Sequence, residues 1–314
     1  MPHLSISILL TALLAGAAEL PFPAEIIDFS AYQNNPVFEA GGPDCWDAAI
    51  RERGWILRED GLYHLWYTGY RPGDGQTMQL GYATSPDGIS WTRYPGNPIY
   101  TEHWVEDMMV VKQGGTYYMF AEGTDDQAHL LTSTDRVNWI RQGIIDIRKV
   151  NGEPLDPGPF GTPAAFYEDG TWYLLYERDD EAVWLATSND MQVWTNVQDE
   201  PVLRPGPEPY DATMIAVNQV VKYNGIYYAY CHATCPENGR DRWSMCVAAS
   251  ADRIHWEKYA GNPIIEPDHS SGILVHDGQQ YRMYTMHRAV DLFFPKTSSP
   301  DASAGGAGEN TSGK

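Results

Sequence analysis

Five short segments place polar, mostly ionisable side chains immediately before β-prone runs. They are Cys45-Trp46-Asp47-Ala48, Val105-Glu106-Asp107-Met108, Phe160-Gly161-Thr162-Pro163, Tyr210-Asp211-Ala212-Thr213 and Asp268-His269-Ser270-Ser271. A strand that served only a core would carry apolar or small residues there. A second set of polar groups closes the runs that follow: Glu122, Glu177-Arg178, His232 and His287-Arg288. Carboxyl groups beside aromatic rings suit sugar chemistry, since carboxyls act as acid and base and ring faces stack on sugar C–H surfaces. Trp46, Trp104, Phe160 and Tyr210 would supply the faces; Thr162, His232, His287 and Arg288 would hydrogen-bond hydroxyls. Clustered His and Asp leave room for a divalent cation, but no ligand spacing names a metal site, and no cofactor is required.

The elements that must position these groups come from an internal repeat. Ser-x-Asp-x-x-x-Trp occurs four times: Ser85/Asp87/Trp91, Ser133/Asp135/Trp139, Ser188/Asp190/Trp194 and Ser250/Asp252/Trp256. Each copy follows a β-prone run, and before that run lies a Tyr-rich one opened by a hairpin dipeptide: Asp60-Gly61, Gly114-Gly115, Asp169-Gly170 or Asn224-Gly225. A fifth hairpin follows at Asp277-Gly278. Each unit therefore reads as an inner strand, a Tyr-rich second strand, a third strand, an Asp turn and a fourth strand opened by Trp. That is a four-stranded propeller blade. The repeated Asp is expected to accept backbone N–H bonds in its turn, and the Trp to pack between blades.

The fifth unit lacks its Trp ending, and the missing strand lies at the other end of the chain. Phe29-SAYQN-Asn35-Pro36-Val37 matches Trp91-TRYPG-Asn97-Pro98-Ile99 and Trp256-EKYAG-Asn262-Pro263-Ile264, with Tyr32 in register with Tyr94 and Tyr259. The expectation is an all-β single domain, a five-bladed β-propeller over residues 19–295, closed by the N-terminal strand. Inner strands converge on the axis, so the polar segments should form one ring of carboxylates and imidazoles. Asp47 and Asp211 stand 13 residues before Asp60 and Asn224, Asp107 stands 7 before Gly114, and His269 stands 8 before Asp277. Blades 1 and 4 thus share a longer approach.

Charge narrows the partners. With 21 basic and 42 acidic residues, a net charge of −21 argues against nucleic acid, whose phosphates require Lys and Arg. It favours a neutral oligosaccharide over an anionic polymer. Residues 1–18 carry an apolar run from Leu4 to Leu14 and then Ala15-Gly16-Ala17-Ala18, which reads as a signal peptide and a secreted or periplasmic protein. No segment is long enough to span a bilayer as a helix, so no membrane partner is expected. Residues 296–314, rich in Gly, Ala and Ser, read as a flexible tail. Of the four cysteines, Cys231 and Cys246 fall on consecutive strands and could face each other across a hairpin, as a disulfide or as packed thiols.

With its Tyr-rich second strands, Ser-x-Asp turns and Trp-opened fourth strands over about residues 25–295, the sequence resembles the five-bladed glycoside hydrolases. These are family 43 (arabinofuranosidases, xylosidases, arabinanases), families 32 and 68 (fructosidases) and family 117 (3,6-anhydro-L-galactosidases). In family 43 the base is a blade 1 Asp, matched here by Asp47, but blade 3 offers Gly161-Thr162 and blade 4 offers Asp211 in place of Glu. The Asn-Asp-Pro motif of families 32 and 68 is missing. Family 117 is similar in blade order: an Asp base (Asp47), an Asp tuning the acid (Asp211) and a His acid (His269). Glu177, Glu106 and Asp107 compete for these roles. The resemblance implies an exo-acting, inverting glycosidase releasing 3,6-anhydro-L-galactose or L-arabinofuranose. A fructosidase-like retaining enzyme and a non-catalytic sugar-binding propeller are the alternatives. An inverting pair would stand about 6.5–9.5 Å apart, with water between base and anomeric carbon.

Overall fold

A computed structural model describes residues 20–73, 78–179, 181–237, 240–265 and 268–296. The expected leader at 1–18, and all of the expected tail except Lys296, lie outside the described residues. Five small sheets form the five blades. Blade 1 comprises Ala49–Glu59, Leu62–Tyr70, Gln79–Ser85 and Thr92–Arg93; blade 2 comprises Glu106–Gln113, Thr116–Glu122, Ala128–Ser133 and Ile140–Ile144. Blade 3 comprises Gly161–Glu168, Thr171–Arg178, Ala182–Ser188 and Trp194–Asn196, with Ile147–Arg148 added in parallel as a fifth strand. Blade 4 comprises Met214–Tyr223, Ile226–Glu237, Arg240–Ser250 and Glu257–Lys258. Blade 5 takes Ile273–His276, Tyr281–Met286 and Val290–Pro295 from the C-terminal region and Phe29–Ala31 from the N-terminal region. Among the described residues no helix is long and apolar enough to cross a membrane.

The ring closes as the repeat predicts, with Phe29 opposite Pro295, Ser30 opposite Phe294 and Ala31 opposite Phe293. Asn35 extends the pairing by a side-chain clamp: its Oδ1 accepts from Leu292 N at 2.9 Å and its Nδ2 donates to Leu292 O at 2.9 Å. Asn97 clamps Tyr82 in blade 1, and Asn262 clamps Val247 in blade 4, in the same manner. Each amide imitates one residue of a neighbouring strand. The strand can therefore turn away at the following proline without orphaning the backbone of its partner.

The repeated Asp residues work within their turns. Asp87 Oδ1 accepts from Ile89 N and Ser90 N at 2.8 and 2.7 Å, and Asp135 Oδ1 from Val137 N and Asn138 N at 3.0 and 2.8 Å. Asp190 and Asp252 repeat the pattern. The Trp residues fill the seams: Trp139 of blade 2 packs edge-on to Trp66 of blade 1, and the buried Trp194 of blade 3 packs edge-on to Phe120 of blade 2. The residue after each Asp has a positive φ. At the blade 5 seam this is Gly88, where a Cβ would lie 2.3 Å from the Tyr284 hydroxyl, so glycine serves both the turn and the contact.

Two seams carry the same ionic clamp. Glu59 of blade 1 binds Lys112, Tyr117 and Arg136 of blade 2, and Glu168 of blade 3 binds Lys222, Tyr227 and Arg253 of blade 4. Cys231 and Cys246 are buried free thiols directly opposite in register. Because the closing strand has only three paired residues, the Asn35 clamp should matter. Asn35→Ala should destabilise the fold by about 1–3 kcal/mol, since Leu292 N–H loses its acceptor and Leu292 O keeps only the Tyr32 N–H. Denaturant unfolding checks this, and an unchanged midpoint would show that the N-terminal strand does not close the ring.

Candidate active site

The inner strands lose register near their starts: between Arg51 and Trp55 in blade 1, Glu106 and Met109 in blade 2, and Gly161 and Ala164 in blade 3. Each irregularity contains a non-glycine residue at positive φ: Glu52 (+23°), Asp107 (+44°) and Thr162 (+45°). Backbone of this kind is strained and re-aims side chains, and it persists where the surroundings hold it. The three residues line one axial cavity of about 280 Å³, together with Glu106, Glu122, Glu177 and His232.

Arg53 lies beneath it with no exposed surface. Its guanidinium donates to Val217 O (3.2 Å), Asn218 O (3.1 Å), Pro163 O (3.0 Å) and Asp107 O, while its backbone N–H donates to Asp107 Oδ1 at 3.2 Å. One side chain of blade 1 thus binds the inner strands of blades 2, 3 and 4. Above it, the Arg51 guanidinium contacts the Glu106 carboxyl, and Glu122 Oε2 accepts from Thr162 N at 2.8 Å.

Burial and mutual repulsion make this a pocket of weak acids. Burial, then the charge of Asp107, pushes Glu52 up to about 7 and Glu106 up to about 8. Burial also raises Asp107, against the pull of Arg53, and raises Glu122 well above the usual carboxylate range. His232, bonded through Nδ1 to Asn218 Oδ1 at 2.6 Å, is driven by burial down to about 3 and stays neutral. Carboxylate oxygens of Glu106, Glu122 and Asp126 lie within 4.8 Å of one another, and by donor type this group would suit a hard divalent cation.

The structure does not gather Asp47, Asp211 and His269 into one site. Asp47 is buried in blade 1, where Oδ2 accepts from Arg93 Nε at 2.9 Å and Tyr67 Oη at 3.0 Å. Asp211 is buried in blade 4 in an ion pair with Lys258. These are equivalent contacts, each joining the segment before an inner strand to its own fourth strand, and neither acid lines the axial cavity. His269 lines a neighbouring cavity on blade 5 with His287 and Arg288, and its Nε2 stands 3.3 Å from Asp291. Of the competing acids, Glu106, Asp107 and Glu177 do meet at the axis, with Thr162 and His232. Trp46 tilts against Tyr67, Phe160 meets Tyr176 edge-on, and Tyr210 Oη accepts from Asn262 at 3.1 Å, so these rings pack within their blades. Trp104 lines a small cavity with His103 and His129.

Sequence reasoning passed over Glu52, Arg51, Arg53 and Trp243. The signal was present: Arg-Glu-Arg interrupts an apolar inner strand at 51–53. Counting back from the hairpin turn places Glu52 eight residues before Asp60, much as Asp107 stands seven before Gly114. Asp47 lies five residues further out.

No protein-family model matches the chain. A 1,2-β-oligomannan phosphorylase from Thermoanaerobacter sp. (strain X514) is 24% identical over 260 residues, spanning 77% of this chain and 84% of that protein. Among solved structures, a β-1,2-mannobiose phosphorylase from Listeria innocua, in complex with β-1,2-mannobiose, aligns at TM-score 0.64 and 16% identity over 85% of this chain and 95% of its own. Another comes from family 130 of mannoside phosphorylases, described as containing glycoside hydrolases that target β-1,2-mannosidic linkages in Candida mannan. It aligns at TM-score 0.67 and 16% identity over 89% and 97%. A thermostable family 43 glycoside hydrolase aligns at TM-score 0.56 and 15% identity over 78% and 88%. The chain therefore shares the five-bladed fold of these glycoside-cleaving enzymes.

The raised acids have a thermodynamic signature. Between the ordinary Glu value of 4.5 and about 8, folded Glu106 keeps a proton that the unfolded chain has lost. Its contribution to stability is complete below 4.5 and is lost as pH rises through about 8. The melting temperature should fall over this window, and Glu106→Gln should flatten the fall. An identical pH slope in the variant would show that Glu106 ionises as an ordinary surface acid.

Proposed function

We propose that the protein cleaves glycosidic bonds of a neutral oligosaccharide in the axial pocket, with Asp107 as proton donor and water as acceptor. The observation that carries the reading is Asp107 itself: a buried carboxyl on a strained bulge, fixed by the Arg53 backbone and raised above its ordinary value. A general acid needs a proton to give at working pH, and burial among other acids supplies one. Glu177, on the blade 3 strand that faces the pocket, is the carboxylate assigned to activate water from the opposite side. The reaction is then a single displacement that inverts the anomeric centre. The proton passes from Asp107 to the leaving oxygen as water loses one to Glu177.

The linkage assigned is a β-1,2-mannoside, removed from a chain end. The oligomannan and mannobiose phosphorylases with the same fold support it over the arabinofuranose or anhydrogalactose class expected from the sequence. Charge supports hydrolysis over phosphorolysis. Seven carboxyl groups line the axial cavity against one arginine, and that arginine is paired with Glu106. A phosphate dianion would find the one arginine lining the cavity already engaged, while water needs no cation to bind.

Incubation with β-1,2-mannobiose tests the assignment. Mannose should appear at the same rate with and without inorganic phosphate, as the α-anomer first when followed by NMR. Mannose 1-phosphate formed only when phosphate is present would make the protein a phosphorylase. No turnover of mannobiose, arabino-oligosaccharides or neoagaro-oligosaccharides would leave it a sugar-binding propeller.

A further inference from the structure

Beside the axial pocket, on blade 5, lies a cavity of about 390 Å³ lined in part by Arg240, Trp243, Asp268, His287, Arg288 and Asp291. Trp243 lines both cavities, so they adjoin at its indole. The indole stands between His232 on the axial side, at 5.2 Å between ring centroids, and His287 on the blade 5 side, at 6.2 Å. Asp107 and His287 stand near enough across this border to bias each other's protonation.

The two cavities differ in chemistry. The axial one is crowded with acids; the blade 5 one balances two arginines against two aspartates. An anion there would meet Asp268 and Asp291, and a metal cation would meet Arg240 and Arg288. Sugar hydroxyls both donate and accept, so a neutral ring can use the guanidinium donors and the carboxylate acceptors together. The indole offers a face for the C–H side of that ring. Burial lowers the His287 pKa, so the imidazole is neutral and adds no net charge.

We propose that the blade 5 cavity is a second sugar subsite, holding the ring next to the one whose bond is cut, with Arg288 and Asp291 fixing its hydroxyls. The proposal rests on the axial pocket being the place of cleavage. It makes the protein selective for a glycan of at least two sugars, and it assigns recognition of the second ring to blade 5. The axial carboxylates keep the chemistry.

Calorimetric titration of the full-length Asp107→Asn protein with β-1,2-mannobiose and with mannose tests it without turnover. Mannobiose should bind at least about tenfold more tightly than mannose. Arg288→Met and Asp291→Ala, each added to that background, should weaken mannobiose binding about tenfold and leave mannose binding unchanged. Equal affinities for the two sugars, no binding of mannobiose, or mannobiose binding untouched in both variants would overturn the subsite. The cleavage reading fails separately. If mannobiose binds as described and the unmodified protein never cuts it, the subsite stands and the catalytic assignment falls. If cleavage proceeds and both variants bind normally, the reverse holds.

Discussion

The guanidinium of Arg53 is out of reach of solvent, and its partners come from the strands that converge on the axis. A buried cation without compensation would cost far more than a typical fold can absorb. Here the charge is shared among carbonyls of Asp107, Pro163, Val217 and Asn218, and it sits beside the Asp107 carboxyl group. Those carbonyls belong to three blades, so their inner strands cannot shift independently without orphaning a donor. The bulges at Glu52, Asp107 and Thr162 follow from the same arrangement. They turn backbone carbonyls and acidic side chains toward the axis, and the arginine holds the strained backbone in place.

Around that hub, the outer structure repeats a few local devices. Asp turns, Asn clamps and Trp-filled seams hold each blade, and the Glu59 and Glu168 clamps tie neighbours together. Even Asp47 and Asp211 fit this scheme, as buried counterparts of Arg93 and Lys258 in their own blades. The division is physical. Acids paired with a cation of their own blade stabilise the sheet, whereas acids crowded at the axis repel one another and hold protons. The second group is the one suited to acid–base work.

The fold was legible in the sequence because each blade repeats its own punctuation. Hairpin dipeptides, Ser-x-Asp turns and Trp openings fix strand order, and Asn35-Pro36 matches Asn97-Pro98 closely enough to locate the closing strand. The site was legible only in part. Glu106, Asp107, Glu177, Thr162 and His232 are expected at the axis and line its cavity, whereas Asp47 and Asp211 are expected there too, because both precede an inner strand, and do not line it. A bulge does not announce itself in spacing, and a difference of five residues separates an acid on the axis from one in the blade wall. Arg53 was passed over for a related reason. Sequence marks it as a charge in a strand, and only the convergence of three other blades gives that charge a use.

The most direct measurement follows the rate against leaving-group basicity for a series of aryl β-mannosides, in the unmodified protein and in Asp107→Asn. If Asp107 donates the proton, the unmodified protein should show a shallow dependence. The variant should show a steep one, nearly normal for dinitrophenolate and slower by orders of magnitude for poor leaving groups. A uniform loss across the series would contradict the account, since it would mean that Asp107 shapes the pocket without protonating the departing oxygen.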